Sequence, residues 1–195
     1  MDIVFNCDQQ INCEDFFRRV GFEHLQELQA REDESRLKTV LSTSTGKYMV
    51  KAGFHDTDAE NQEMMLQDPM ENFVTAFNAQ FADDTFSLQL QPINYAIALS
   101  PETASSFLPW LISERNAGQQ LLVSYAPFIE NGISYNDLTE DQQSIVINHI
   151  KTIRQFAHTR GLILLDFDAG QLLYQVDSNG SITAHVIDYE EWEQL

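Results

Sequence analysis

Two aspartates near the end of the chain have the type and setting to do chemistry. Asp166 follows the apolar run Leu162 to Leu165, and Asp188 follows the apolar stretch Ile182 to Ile187. Carboxylates brought near one another repel unless a cation lies between them, and oxygen donors of this kind suit a hard divalent ion. Other reactive side chains offer less. Cys7 and Cys13 are the only cysteines, with no further Cys or His pair at zinc spacing beside them, so they read as reduced structural thiols. His149 and His158 lie on or beside one helical segment with no third ligand in view. Trp110 and Trp192 read as packing residues.

The elements that would carry the aspartates follow from periodicity. Thr139-Glu-Asp-Gln142 is a capping box, and it opens a helix whose Val146, Ile150, Ile153 and Ala157 form one stripe. Gly161 stops that helix before the apolar run leading to Asp166. Leu172 to Val176 then pairs with Ile182 to Ile187 across Asp177-Ser-Asn-Gly180, a hairpin signal, and the second strand delivers Asp188. Upstream, Cys13 to Leu28 reads as one or two short helices. Leu37 to Thr43 and Lys47 to Lys51 read as a hairpin around Ser44-Thr45-Gly46. A helix capped at Asp58 carries Met64, Met65 and Leu66, and Pro69 interrupts or restarts it. Met70, Phe73, Val74, Phe77 and Phe81 make an apolar face that reads as core. Phe86 to Gln91 alternates as a strand, continued by Ile93 to Leu99. Ser100-Pro101-Glu102 opens a helix ending near Ile112, and Gln120 to Ile129 is a buried strand. The fold class expected from this order is α+β.

The sequence Gly161-Leu-Ile-Leu-Leu-Asp166-Phe-Asp-Ala-Gly-Gln171, followed by a hairpin and Asp188-Tyr189-Glu190, resembles the catalytic loop and metal-binding motif of the protein-kinase-like superfamily, which includes the aminoglycoside phosphotransferases. The resemblance implies Asp166 as catalytic base, Gln171 at the position of a metal-binding Asn, and Asp188 as the second metal ligand. Tyr48-Met-Val-Lys51 is similar to the strand whose Lys grips the nucleotide phosphates, which makes Lys51 both catalytic and cofactor-binding. Glu71, with Glu63 as the alternative, would be its ion-pair partner. Leu121 to Gly132, including Tyr125, looks like the strand and hinge that frame the adenine. These pieces cover residues 35 to 195 in order. They imply a two-lobed kinase-like fold with a truncated C-terminal lobe: 1–129 as N-terminal lobe with a helical extension, and 130–195 as minimal C-terminal lobe. In size the chain is similar to the very small kinases that enteric pathogens inject into host cells.

Phosphoryl transfer is mostly positioning and charge neutralisation, so the implied cofactors are ATP and Mg²⁺. The chain departs from the family pattern at several positions. Leu164 and Leu165 stand where His and Arg precede the catalytic Asp, Gln171 replaces Asn, and Glu190 replaces Gly. The turn Gln29-Ala-Arg-Glu-Asp33 takes the place of a Gly-rich loop, and Glu32 and Asp33 would repel phosphates. The chain ends seven residues after Asp188, which leaves no platform for a peptide substrate. Two kinase-like readings result, a pseudokinase and a minimal atypical kinase, each acting on or binding a partner protein.

The composition bounds the rest. The chain has 195 residues, with 30 acidic against 11 basic, giving a formal charge of −19. That surface repels phosphate backbones and excludes ordinary nucleic-acid binding. It suits a protein partner with a basic surface, and a highly acidic inhibitor or nucleic-acid mimic without catalysis is the alternative reading. No apolar run reaches membrane-spanning length, so no membrane association is expected. The N-terminus MDIVFNCDQQINCEDF lacks a basic start and a long apolar stretch, so it does not read as a Sec-type signal. A cytoplasmic location, or delivery into a host cell, is the expectation.

Overall fold

The computed structural model describes residues 2–7, 36–42, 46–53, 57–83, 85–102, 121–164, 167–187 and 192–194. Its contacts divide into two units, Met1–Glu60 with Pro92–Phe128, and Asn61–Gln91 with Ile129–Leu195. The chain passes between the units after Glu60, after Gln91 and again after Phe128, so residues 61–91 belong to the second unit. The expected helices of Cys13 to Leu28 lie outside the described residues, as does most of the helix from Pro101.

The first unit is built on one five-stranded sheet. The expected hairpin forms as β2 (Arg36–Ser42) and β3 (Lys47–Gly53), paired antiparallel. Beyond β3 lie β6 (Leu121–Pro127), then β5 (Tyr95–Leu99), then β1 (Asp2–Cys7), the last joined parallel to β5. β1 has no counterpart among the sequence expectations. Tyr48 and Val50 of β3 are buried while Met49 and Lys51 are half-exposed, the period-two signature of a strand with one covered face.

The second unit holds α1 (Thr57–Phe81), most of whose length belongs here, and α2 (Glu140–Thr159). They accompany a three-stranded sheet in the order β4 (Phe86–Leu90), β9 (Ile182–Val186), β8 (Leu172–Val176). A two-stranded ribbon joins β7 (Leu162–Leu164) to β10 (Trp192–Gln194). The capping box forms as read: Thr139 N–H donates to Gln142 Oε1 at 2.9 Å, and Gln142 N–H donates to Thr139 Oγ1 at 3.4 Å. Val146, Ile150, Ile153 and Ala157 are buried, joined by Phe156. Phe156 sits among the α1 aromatics, with ring centroids 5.6 Å from Phe73, 6.0 Å from Phe77 and 5.3 Å from Phe81. The phenylalanine stripe is core, as expected.

Two expectations need correction. Pro69 lies inside α1 and neither ends nor restarts it. An interior proline costs about 3 kcal/mol. Burial of Met70, Phe73, Val74 and Phe77 just beyond it, at roughly 1.5–3 kcal/mol per large apolar side chain, outweighs that cost. The second concerns Phe86 to Leu99, read as one continued strand. It is two strands in different sheets. Gln91 N–H still bonds Val186 carbonyl at 3.0 Å, but Pro92 has no N–H to continue a ladder, and Asn94 N–H bonds Tyr125 carbonyl at 2.8 Å in the other sheet. Among the described residues no helix is long and apolar enough to cross a membrane.

Candidate functional site

The segment between β7 and β8 folds into a tight turn because its own side chains satisfy its backbone. Residues Ala169–Gln171 form one turn of 3₁₀ helix, and the Asp168 carboxylate caps it by accepting from Gly170 N–H at 2.6 Å. A Cβ at position 170 would lie 3.0 Å from Asp168 Oδ1, so glycine keeps room for the cap. The Tyr174 hydroxyl donates to the Ala169 carbonyl at 2.8 Å. Burial pushes that phenol well above its usual pKa, with the neighbouring Tyr135 and Asp168 adding to the shift. Arg154 of α2 donates from Nε to the Phe167 carbonyl at 3.0 Å, and from Nη2 to the same oxygen.

Asp166 and Asp188 lie outside the described residues, but their chain neighbours are fixed by two rungs. Leu172 pairs with Val186, so Gln171 and Ile187 are the next positions along the two hairpin strands, and Asp188 follows Ile187. In the ribbon Leu164 pairs antiparallel with Trp192. In sequence Asp166 comes two residues past Leu164 and Asp188 four residues before Trp192. Gln171 itself is half-exposed, its N–H bonded to the Asp168 carbonyl at 3.3 Å.

The remaining candidates are distributed differently. In the first unit Lys51 pairs with Ser124, and Val50 with Tyr125. Directly opposed residues share a face and successive ones alternate, so Lys51 and Tyr125 occupy opposite faces of the sheet. Tyr125 is fully buried, and burial drives its phenol pKa far upward. It is a core residue. Glu71 is exposed on α1, within the second unit, whereas Lys51 belongs to the first.

By residue type Gln171, Asp166 and Asp188 are an amide and two carboxylates, hard oxygen donors of the kind Mg²⁺ takes. Asp168 does not belong to it, because its carboxylate is committed to the turn. Among the described residues no group of three or more His, Cys, Asp or Glu gathers to hold a metal. His149 is engaged otherwise: its ring stacks on Phe86 with centroids 4.0 Å apart, and Nδ1 meets the Ile145 carbonyl at 3.0 Å.

Sequence reasoning passed over Arg154, Tyr174, Gln175 and His185. Gln175 Nε2 donates to the Glu130 carbonyl at 2.6 Å, while its Oε1 lies 2.8 Å from His185 Nε2. The available signal for His185 was its place between Ala184 and Val186 in a strand read as apolar. For Arg154 no local signal exists, since its partner is 13 residues away. No protein-family model matches the chain, and no curated protein matches its sequence.

Proposed function

We propose that this chain is a minimal protein-kinase-like protein, two-lobed with a truncated second lobe, that binds Mg·ATP and engages a protein partner with a basic surface. The observation carrying this reading is the pair of rungs in the second unit, Leu172 with Val186 and Leu164 with Trp192. By chain order they lead to Gln171, Asp188 and Asp166, the three positions the motif requires. The strand pairing of β3 with β6, with Lys51 half-exposed, is compatible with a phosphate-gripping lysine.

In this reading Asp166 orients the acceptor hydroxyl and takes up its proton, and Lys51 steadies the nucleotide phosphates. Gln171 and Asp188 would hold magnesium, which when bound neutralises charge on those phosphates. Gln171 reaches one methylene further than Asn, and Leu164-Leu165 supplies none of the polar groups that usually precede the base. These substitutions argue for weak or absent transfer with binding retained, the pseudokinase end of the range. The charge of −19 supports a basic partner, held by complementary potential.

Thermal denaturation with Mg·ATP tests the reading. A nucleotide site gives stabilisation of about 2.7 kcal/mol at a hundredfold excess over Kd. Where wild-type protein transfers phosphate, Asp166→Ala abolishes transfer and leaves the melting of the free protein unchanged. No shift with any nucleotide overturns the reading and leaves the acidic inhibitor, whose mark is steeply salt-dependent binding to a basic partner.

A further inference from the structure

The chain holds two Asn-Gly dipeptides, Asn131-Gly132 and Asn179-Gly180, both within the second unit. A glycine after asparagine leaves the side-chain amide open to the next backbone nitrogen, because no Cβ shields it. The two sites have opposite surroundings. Asn131-Gly132 is anchored on both sides to β8. The Glu130 carbonyl accepts from Gln175 Nε2 at 2.6 Å, and Ile133 and Tyr174 exchange both backbone bonds, at 2.8 and 3.0 Å. Gly132 itself lies against β8, since a Cβ there would fall 2.7 Å from Leu173 Cγ. Asn179-Gly180 instead stands exposed at the tip of the β8–β9 hairpin. A Cβ at Gly180 would meet nothing within 4 Å. The bonds that close this tip run to Asp177. Its Oδ1 accepts from Asn179 N–H at 2.8 Å and Ser181 N–H at 2.9 Å, and its carbonyl accepts from Gly180 N–H at 3.1 Å.

We propose that Asn179 is a site of spontaneous deamidation in the folded protein, while the fold protects Asn131. The inference does not depend on the functional reading above. The Gly180 nitrogen, once hydroxide has taken its proton, attacks Asn179 Cγ. A bond from that nitrogen to Cγ forms, the Cγ–Nδ2 bond breaks, and Nδ2 leaves as ammonia with its third proton drawn from water. A second water then opens the succinimide ring at either carbonyl, giving aspartate or isoaspartate. No electrons are transferred, and the chain gains one negative charge beyond its −19. At the hairpin tip, freeing the nucleophile breaks the Gly180 bond to the Asp177 carbonyl, an opening of the low-cost kind found in exposed turns. At Asn131 the same movement must lift Gly132 off Leu173 and strain the anchors from Gln175 and Tyr174. The isoaspartate product routes the chain through Cβ and Cγ of residue 179. That adds one backbone atom between the two N–H groups that Asp177 Oδ1 holds.

The test ages the full chain in mildly alkaline buffer, folded in one arm and unfolded in urea in the other. Peptide mass spectrometry follows the amide-to-acid mass gain at both asparagines, and labelling by an isoaspartyl methyltransferase reports the isoaspartate fraction. In the folded arm Asn179 is expected to react about tenfold or more faster than Asn131, because the second site must first open against its anchors. In urea the two rates converge, since both dipeptides are then Asn-Gly in an open chain. Asn179→Ser removes the isoaspartate signal from the folded arm. Equal rates in the folded protein, faster reaction at Asn131, or a folded Asn179 that stays intact while the unfolded one reacts, each overturns the proposal. A preference for Asn179 that persists in urea also overturns it, because local sequence and not the fold would then set the rate.

Discussion

The side-chain amide of Asn78 pairs with both backbone groups of Leu88. Its Nδ2 donates to the Leu88 carbonyl at 2.7 Å, and its Oδ1 accepts from the Leu88 N–H at 2.9 Å. Among the described residues β4 is the edge of its sheet, with β9 as its one strand neighbour, and a helix residue bonds the ladder where a further strand would. An exposed strand edge invites pairing with other chains, and this contact blunts it at its buried midpoint, Leu88.

Replacing Asn78 with Ala leaves both Leu88 groups without their partner. Each such loss costs about 1–3 kcal/mol, reduced where water reaches the site. The expected destabilisation is about 2 to 3 kcal/mol in urea denaturation, with the m-value unchanged. Asn78→Asp keeps the acceptor for the Leu88 N–H but sets a carboxylate against the Leu88 carbonyl, so it also destabilises at neutral pH.

Tyr174→Phe removes the hydroxyl from the Ala169 carbonyl and preserves the ring in the core. The expected loss is about 1 kcal/mol, the net worth of one such hydrogen bond. Amide exchange should quicken at Gly170 and Gln171 while α2 stays protected.

His185 gives stability a dependence on pH. Burial lowers its pKa below the ordinary histidine value, so the folded chain resists the proton that the unfolded chain accepts. The sign follows: its contribution is fully present above about pH 6.5 and declines as pH falls below that value. His185→Gln should flatten this part of the stability profile, measured by urea midpoints between pH 5 and 8 (roughly the histidine range).

Asp83 titrates in the other window. Its Oδ1 accepts from Thr85 Oγ1 at 2.6 Å, Thr85 N–H at 2.7 Å and Phe86 N–H at 3.0 Å, closing the loop into β4. The Thr85 hydroxyl is the largest cause holding its carboxyl below the usual carboxylate pKa. The stability it supplies is present above about pH 4 and is lost as pH falls through the lowered value. Acid titration should show wild-type protein losing stability below about pH 4 more steeply than Asp83→Ala.

Elements with a local cause could be read directly. The capping box at Thr139, the stripe from Val146 to Ala157 and the turn at Gly180, whose φ is 85°, each depend on residues within a few positions of one another. The β2–β3 hairpin and the β8–β9 hairpin follow from alternation plus a turn, and both strand pairs form. The helix through Pro69 could not be read, because its continuation depends on what Phe73 and Phe77 meet, and Phe156 is contributed by a helix far along the chain. The switch of sheets at Pro92 had a visible signal, a proline that cannot extend a ladder, but the strand it released the chain to was not nameable from neighbours alone.

By itself the amino-acid order determined the α+β class, the strongly acidic character, and the hairpin and helix that precede Asp188 and Asp166. Those properties arise from composition and from contacts a few residues apart. Only the tertiary structure decided that β4 runs parallel to β9, that Lys51 and Tyr125 face opposite sides of one sheet, and that Arg154 grips Phe167. Each of these is a choice among partners distant in sequence or a matter of register. Such choices are made by the joint burial of many side chains, which no local pattern encodes.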